Sequence, residues 1–371
     1  MIPLFKVFMS KSAEENALMI LGSGYVGQGK EVDAFEKKLQ FFLKGSPVTL
    51  NSGTSALHLA FHLIGKSLGV HEKEVLTTPL TCTATNWAAL ANGFRLTWVD
   101  VCKENLNIDL DDLESKLTAN TRVVVVVHWG GYPVDLVRLQ KIQSQYVLDY
   151  GKPLHIIEDC AHAFGSSLHG NPIGNYKNWS CFSFQAIKHL TCVDGGALIC
   201  PDEEQEAKAR LLRWYGIDRN TPRSDFRCEE DIPEWGFKFH MNDLNASIGI
   251  GNLLHVNSVL DSHKENAYYY HGRFNGKIKK MVWSPGFESA HWLYSILVEN
   301  RPEFIENMSK AGIQVSQVHK RNDVHSCVSQ YKRELPVLDY VSERIVCIPV
   351  GWWITHKERE YIADKVLEFA K

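Results

Sequence analysis

Apolar residues change period repeatedly along this chain, and the changes mark out an alternating series of strands and helices. Between about residues 47 and 200, short β-branched runs alternate with stretches whose apolar residues recur at helical spacing. The pattern predicts strands at 47–51, 74–79, 95–101 and 122–128, with helices at 55–68, 83–91, 109–117 and 135–146. Five consecutive valines at 123–127 suit a central strand buried on both faces. Residues 13–21 and 30–43 read as helices before this series. After it, 179–184 and the run Asp194-Gly195-Gly196-Ala197-Leu198-Ile199 read as two more strands.

Alternating βα units imply a mostly parallel sheet flanked by helices, with ligands bound where strands run into helices. Asn51-Ser52-Gly53-Thr54, His128-Trp129-Gly130-Gly131 and Glu158-Asp159 all fall at such strand ends. Beyond Gly236, a long helical stretch from 242 to about 270 leads into a second region. There, 292–298 and 313–319 read as strands, and 302–311 and 357–370 as helices. The expected division is a large domain over 1–256, with an N-terminal arm, and a smaller α/β domain over 257–371.

The 371 residues suffice for such a core, and a net charge of −3 gives no case for nucleic acid or an anionic membrane. No apolar run is long enough to span a bilayer, and the start lacks a signal peptide's charged region and cleavage site. The nine cysteines are scattered with no Cys-x-x-Cys pair, and the sixteen histidines form no His-Glu-x-x-His motif. A cytoplasmic protein without a structural metal is expected.

The candidate chemistry centres on Lys188, in the loop Ser183-Phe184-Gln185-Ala186-Ile187-Lys188 between two strands. A lysine so placed can form a Schiff base with a phosphorylated aldehyde cofactor, with Ser183 on the phosphate. Its apolar neighbours Phe182, Phe184, Ile187 and Leu190 would desolvate the amine and make it nucleophilic. Asp159, at the end of an apolar run, could hold the pyridine nitrogen. His162 could orient Asp159, touch the ring oxygen, or sit as a plain core histidine. Ser52-Gly53-Thr54-Ser55 offers both a phosphate cradle at a helix start and simple N-capping, and the sequence leaves both open. Together and in this order, these residues point to pyridoxal phosphate.

One motif is set aside. Gly22-Ser23-Gly24-Tyr25-Val26-Gly27 matches the dinucleotide fingerprint, but a helix precedes it and the ribose-binding acid is missing.

These residues resemble the sugar-nucleotide aminotransferases, a group of fold-type-I pyridoxal phosphate enzymes. The resemblance runs almost end to end: Ile2-Pro3-Leu4-Phe5, Gly27-Gln28-Gly29, Ser52-Gly53-Thr54, Glu158-Asp159 through Gly165, Ser183 through Lys188, Asp194-Gly195-Gly196, and Gly236 through Asp243. It implies a large domain with a mostly parallel, seven-stranded sheet and a smaller C-terminal domain. It also implies transfer of an amino group from L-glutamate to a nucleotide-linked keto-sugar. Lys188 would carry the cofactor and move the proton, Asp159 would pair with the pyridinium, and His162 would lie near the ring. Gly53, Thr54, the Ser55 amide and Ser183 would hold the phosphate. A homodimer is implied, with Lys238 or His240 reaching the neighbouring subunit's phosphate. Tyr25, His319, Arg321 and Asn322 are candidates for sugar contacts. This chain departs from the pattern at Thr81-Cys82-Thr83, where many relatives carry an aromatic residue stacked on the ring. The acceptor is expected to be a 4-keto-6-deoxy hexose; a 3-keto sugar, a keto-cyclitol or a non-catalytic sensor are the alternatives.

Overall fold

The run Thr121–Val127 has no polar face to turn to water, and all seven of its residues are buried at the centre of a sheet. A computed structural model describes residues 1–219, 221, 225 and 231–370 of the protein. The strands, in chain order, begin with β1 (Pro47–Leu50), β2 (Glu74–Thr77), β3 (Arg95–Trp98), β4 (Thr121–Val127) and β5 (His155–Asp159). A short hairpin, β6 (Ser167–Leu168) and β7 (Asn171–Pro172), precedes β8 (Trp179–Ser183) and β9 (Gly196–Ile199). Four more follow: β10 (Lys279–Lys280), β11 (Phe287–Glu288), β12 (Tyr294–Leu297) and β13 (Ile345–Ile348).

The central sheet has seven strands in the order β1-β9-β8-β5-β4-β2-β3, and β9 alone runs against the others. The helices are α1 (Lys11–Ser23), α2 (Lys30–Leu43), α3 (Gly53–Gly65), α4 (Thr83–Ala91), α5 (Leu110–Lys116), α6 (Leu136–Tyr150) and α7 (Glu203–Leu212). They continue with α8 (Asp243–Leu253), α9 (Val256–Arg273), α10 (Arg301–Lys310), α11 (Pro336–Arg344) and α12 (His356–Phe369). Two apolar cores cover the sheet, and a third lies against the three-stranded sheet β10-β12-β13. Helix α9 serves two of them, placing Val256 and Leu260 in one and Ala267 and Tyr270 in the other.

Parallel register fixes where the strand ends meet. Val127 pairs with Asp159, and Asp159 with Cys181, so β4, β5 and β8 finish side by side. Beneath Asp159, the fully buried Glu158 accepts from Asn178 (2.8 Å), Ser180 (3.3 Å) and His128 Nε2 (3.1 Å). His128 Nδ1 accepts the Val134 N–H, so Nε2 carries the proton. A buried carboxylate requires such saturation.

Three expectations need correction. Residues 313–319 are not a strand: Ser316 pairs with Cys347, but the chain turns at Val318, whose φ is +64°. The strand at Ile345–Ile348 and the helices α7 and α11 were not expected from the pattern. The helix from 242 is two helices, broken after Leu253, beside Asn252, whose side chain accepts the Ser10 N–H and donates to the Thr191 carbonyl. The fingerprint loop at 22–27 follows helix α1, not a strand, and Gly24 caps that helix at φ +75°. The eight described cysteines are free; Cys228 lies outside the described residues.

A Cβ on Gly196 would lie 2.4 Å from the Ser52 carbonyl carbon and oxygen, so β9 and the turn after β1 touch backbone to backbone. Gly196→Ala is therefore expected to destabilise the fold by about 1–3 kcal/mol through overpacking. Gly272→Ala, in an open helical position, should be neutral or slightly stabilising. Thermal unfolding of the two variants checks this; equal midpoints would contradict it.

Candidate active site

The turn after β1 is set by Ser52, extended at φ −164°, whose Oγ accepts the Ser55 N–H at 3.0 Å and caps α3. The Ser55 amide is thus engaged by the cap, whereas those of Gly53 and Thr54 open the helix without intrahelical acceptors. A Cβ on Gly53 would meet Ser183 Cβ at 2.9 Å, so only glycine lets this helix start reach the end of β8. Gly53, Thr54 and Ser183 line one side of a cavity of about 650 Å³.

Lys188 and Asp159 line the same cavity. Burial pushes the Lys188 amine down to about 7, against the upward pull of Asp159 and Cys82. Its Nζ stands 3.5 Å from the centre of the Trp292 ring. Asp159 is 5 % exposed and accepts the Thr85 hydroxyl at 2.6 Å and the Ala161 N–H at 3.0 Å. The Thr85 oxygen in turn lies 2.8 Å from that of Thr81, so a short hydroxyl chain fixes the carboxylate.

Histidines complete the lining. Burial, with the Lys188 charge nearby, holds His162 well below its ordinary range, and His319 falls to about 4 for the same reasons. Both are neutral near pH 7. Their rings are parallel within 2° at 5.6 Å, and His162 stacks on Trp292 at 4.0 Å. His162 Nδ1 and His319 Nε2 are buried without a hydrogen-bond partner among the described residues. Leu4 and Phe5 of the N-terminal arm also face the cavity.

A repeated device delivers three of the lining residues. Asp194, Trp292 and His319 each follow a non-glycine residue at positive φ: Val193 (+70°), His291 (+52°) and Val318 (+64°). Each of these donates its N–H, at 3.0 Å, to a hydroxyl two residues back, on Thr191, Ser289 and Ser316 respectively. Such conformations are costly, above all for β-branched valine, and persist only where surrounding bonds hold them.

The structure brings together Lys188, Asp159, His162, Ser183, Gly53, Thr54 and His319, with Ser55 just behind. It does not bring in the other candidates. Tyr25 is 84 % exposed and outside the cavity. Arg321 is paired with Asp323 (2.6 Å) and Asp339. Asn322 is fully buried, accepting from Asn86 and donating to the Thr81 carbonyl, where it braces the turn before α4. Lys238 is exposed; His240 stacks on Trp214 at 3.6 Å, and burial lowers it to about 4. Neither lines the cavity of its own chain. Sequence reasoning missed Trp292, Thr85 and Phe5, which arrive from distant segments; for Trp292, Ser289 two residues before the strained His291 is a local signal.

The match to known proteins is extensive. The model of the DegT/DnrJ/EryC1/StrS aminotransferase family covers residues 9–367. The chain belongs to this family. The crystal structure of AtS13 from Actinomadura melliaura is 46% identical, with a TM-score of 0.96 over 99% of this chain and 98% of that one. A Campylobacter jejuni protein, UDP-4-amino-4,6-dideoxy-N-acetyl-β-L-altrosamine transaminase, is 33% identical over 302 residues, 78% of this chain and 76% of that protein. The UDP-4-amino-4-deoxy-L-arabinose–oxoglutarate aminotransferase of Shewanella sediminis is 27% identical across 89% of this chain and 88% of its own length. This family member is a pyridoxal phosphate-dependent transaminase. The residues present fit that cofactor: a nucleophilic lysine, a buried carboxylate, free amides at a helix start, and an unpartnered histidine nitrogen. No helix among the described residues is long and apolar enough to cross a membrane.

Thr85→Val removes a hydroxyl donor from Asp159 while keeping the side chain's outline. Losing a hydrogen bond to a charged group, about 1.5–3 kcal/mol, should weaken pyridoxal phosphate binding by about ten- to a hundredfold. Fluorescence titration of the apoenzyme measures this, and unchanged affinity would remove Thr85 from the site.

Proposed function

We propose that this transaminase moves an amino group from L-glutamate to a nucleotide-linked 4-keto-6-deoxy hexose, giving a 4-amino-4,6-dideoxy sugar. The observation that carries the transfer chemistry is Lys188, its amine lowered to about 7 inside a cavity that also holds the buried Asp159. The Campylobacter relative is named for a 4-amino-4,6-dideoxy sugar, which supports the position of amination. The Shewanella relative is named for a 4-amino sugar and for oxoglutarate, the keto acid that glutamate leaves behind. A homodimer in the cytoplasm is part of the proposal; Lys238 and His240, unused in their own chain's cavity, support a shared site.

The bound cofactor supplies a reactive carbonyl carbon and an electron-withdrawing ring. Lys188 Nζ, with both protonation states populated near neutral pH, would supply the nucleophile for that carbonyl. With cofactor and amino donor bound, Lys188 Nζ would be the base that takes the proton from the donor's α-carbon and holds it for return. With the keto-sugar in place, Nζ carries the proton the opposite way. Asp159, fixed by Thr85 and the Ala161 N–H, is the carboxylate available to keep the pyridine nitrogen protonated. Ser183, Gly53 and Thr54 offer a hydroxyl and two amides to the phosphate. His162 is a neutral hydrogen-bonding group beside the ring site, and His319 offers Nε2 to a sugar hydroxyl. Leu4, Phe5 and Trp292 keep water from the reacting atoms.

The purified protein with pyridoxal phosphate should show a visible absorbance band that L-glutamate removes and the keto-sugar restores. Lys188→Ala should lower turnover by more than about a thousandfold, the scale of losing nucleophile and proton carrier together. Undiminished turnover in Lys188→Ala, or a product aminated at C3, would overturn the reading.

A further inference from the structure

Trp292 belongs to the segment that leads into β12, yet its ring lies inside the cavity built by the central sheet. It is 3 % exposed and touches three separate parts of the site. The indole N–H donates to the Ile187 carbonyl at 2.9 Å, the residue just before the lysine. Phe5 stacks on the ring at 5.1 Å and 23°, and His162 at 4.0 Å and 21°. Lys188 Nζ rests 3.5 Å from the ring centre, well within the range of a cation–π contact. The turn that presents the indole is held at several points. His291 N–H donates to Ser289 Oγ at 3.0 Å, His263 Nδ1 to the His291 carbonyl at 3.0 Å, and Ala290 N–H to Ser166 Oγ at 3.0 Å.

We propose that Trp292 is a positioning residue for Lys188: its π face holds the protonated amine, and its N–H ties down the loop that carries it. This rests on the reading of Lys188 as the cofactor-bearing residue. An ammonium in this cavity has few other supports. Asp159 and Cys82 favour it, but burial opposes it, and His162, His189 and His319 around it are neutral. The indole face therefore counters part of the burial penalty and keeps both protonation states within reach near neutral pH, as a group that both accepts and delivers a proton requires. The same ring provides an aromatic wall in a cavity to which the 81–83 segment contributes Cys82 rather than an aromatic side chain.

The test is the pH dependence of reductive methylation at Lys188 in the full-length apoenzyme, read by peptide mass spectrometry, for wild type, Trp292→Met and Trp292→Phe. Methionine keeps most of the bulk without the π face; phenylalanine keeps a π face without the N–H. Trp292→Met should move the midpoint to lower pH by about half to one unit, the size of a partly desolvated cation–π contact. Trp292→Phe should move it less than half as far. Trp292→Leu substitutes if the methionine variant does not fold. A midpoint that stays put, or rises as it would if water merely filled the space, overturns the proposal. So does an equal shift in the phenylalanine variant, which would leave the π face no part in holding the protonated amine. The wild-type midpoint needs no substrate, so an error in the assigned keto-sugar leaves this test intact, whereas a wild-type midpoint near that of an ordinary lysine would fault the reading of Lys188 itself.

Discussion

A lysine amine and a carboxylate share one desolvated cavity in this protein, and much of the architecture follows from keeping them there. Burial pushes the Lys188 amine down to about 7, while Asp159 pulls it upward. Neither could remain buried alone without cost, since an unpaired charge in a low-dielectric site is strongly disfavoured. The fold manages this by placing Asp159 at the end of β5, where Val127 and Cys181 pair on either side, and by bonding its oxygens to Thr85 and Ala161. Beneath it, the Glu158 network saturates a second buried carboxylate, so β5 ends in a rigid support.

Around that pair the chain repeatedly accepts local strain. Gly53 and Gly196 let two turns meet at distances no side chain would allow. Val193, His291 and Val318 adopt left-handed conformations, each held by a hydroxyl two residues back, and each followed by a cavity residue. Backbone strain of this kind, of order 1–3 kcal/mol per residue, survives because neighbouring packing over-determines it. Its effect is to bring Asp194, Trp292 and His319, from three different parts of the chain, onto one volume.

The legible part of the site is the part written locally. Ser183 and Asp159 could be found because each ends an apolar strand, and Lys188 because it follows in the loop after Ser183; the sheet gathers such ends on one edge. The buried central valines and the mostly parallel sheet followed from the same periodicity, whereas the count of seven strands came from the family resemblance. Trp292, Thr85 and Phe5 could not be found this way, because their place depends on how remote segments fold back. Polarity alone misled at Arg321 and Asn322, whose polar groups serve the protein's own packing. Residues 313–319 alternate like a strand, but the left-handed turn at Val318 uses that segment to present His319 instead.

The most direct test of this account is borohydride reduction of the enzyme loaded with pyridoxal phosphate, followed by peptide mapping. Lys188 chemistry predicts one stoichiometric label, the mass of the reduced cofactor, on the peptide containing Lys188. It further predicts that the label disappears when L-glutamate is added before the reductant. A label on another lysine, or none at all in a protein that binds the cofactor, would contradict the account at its centre.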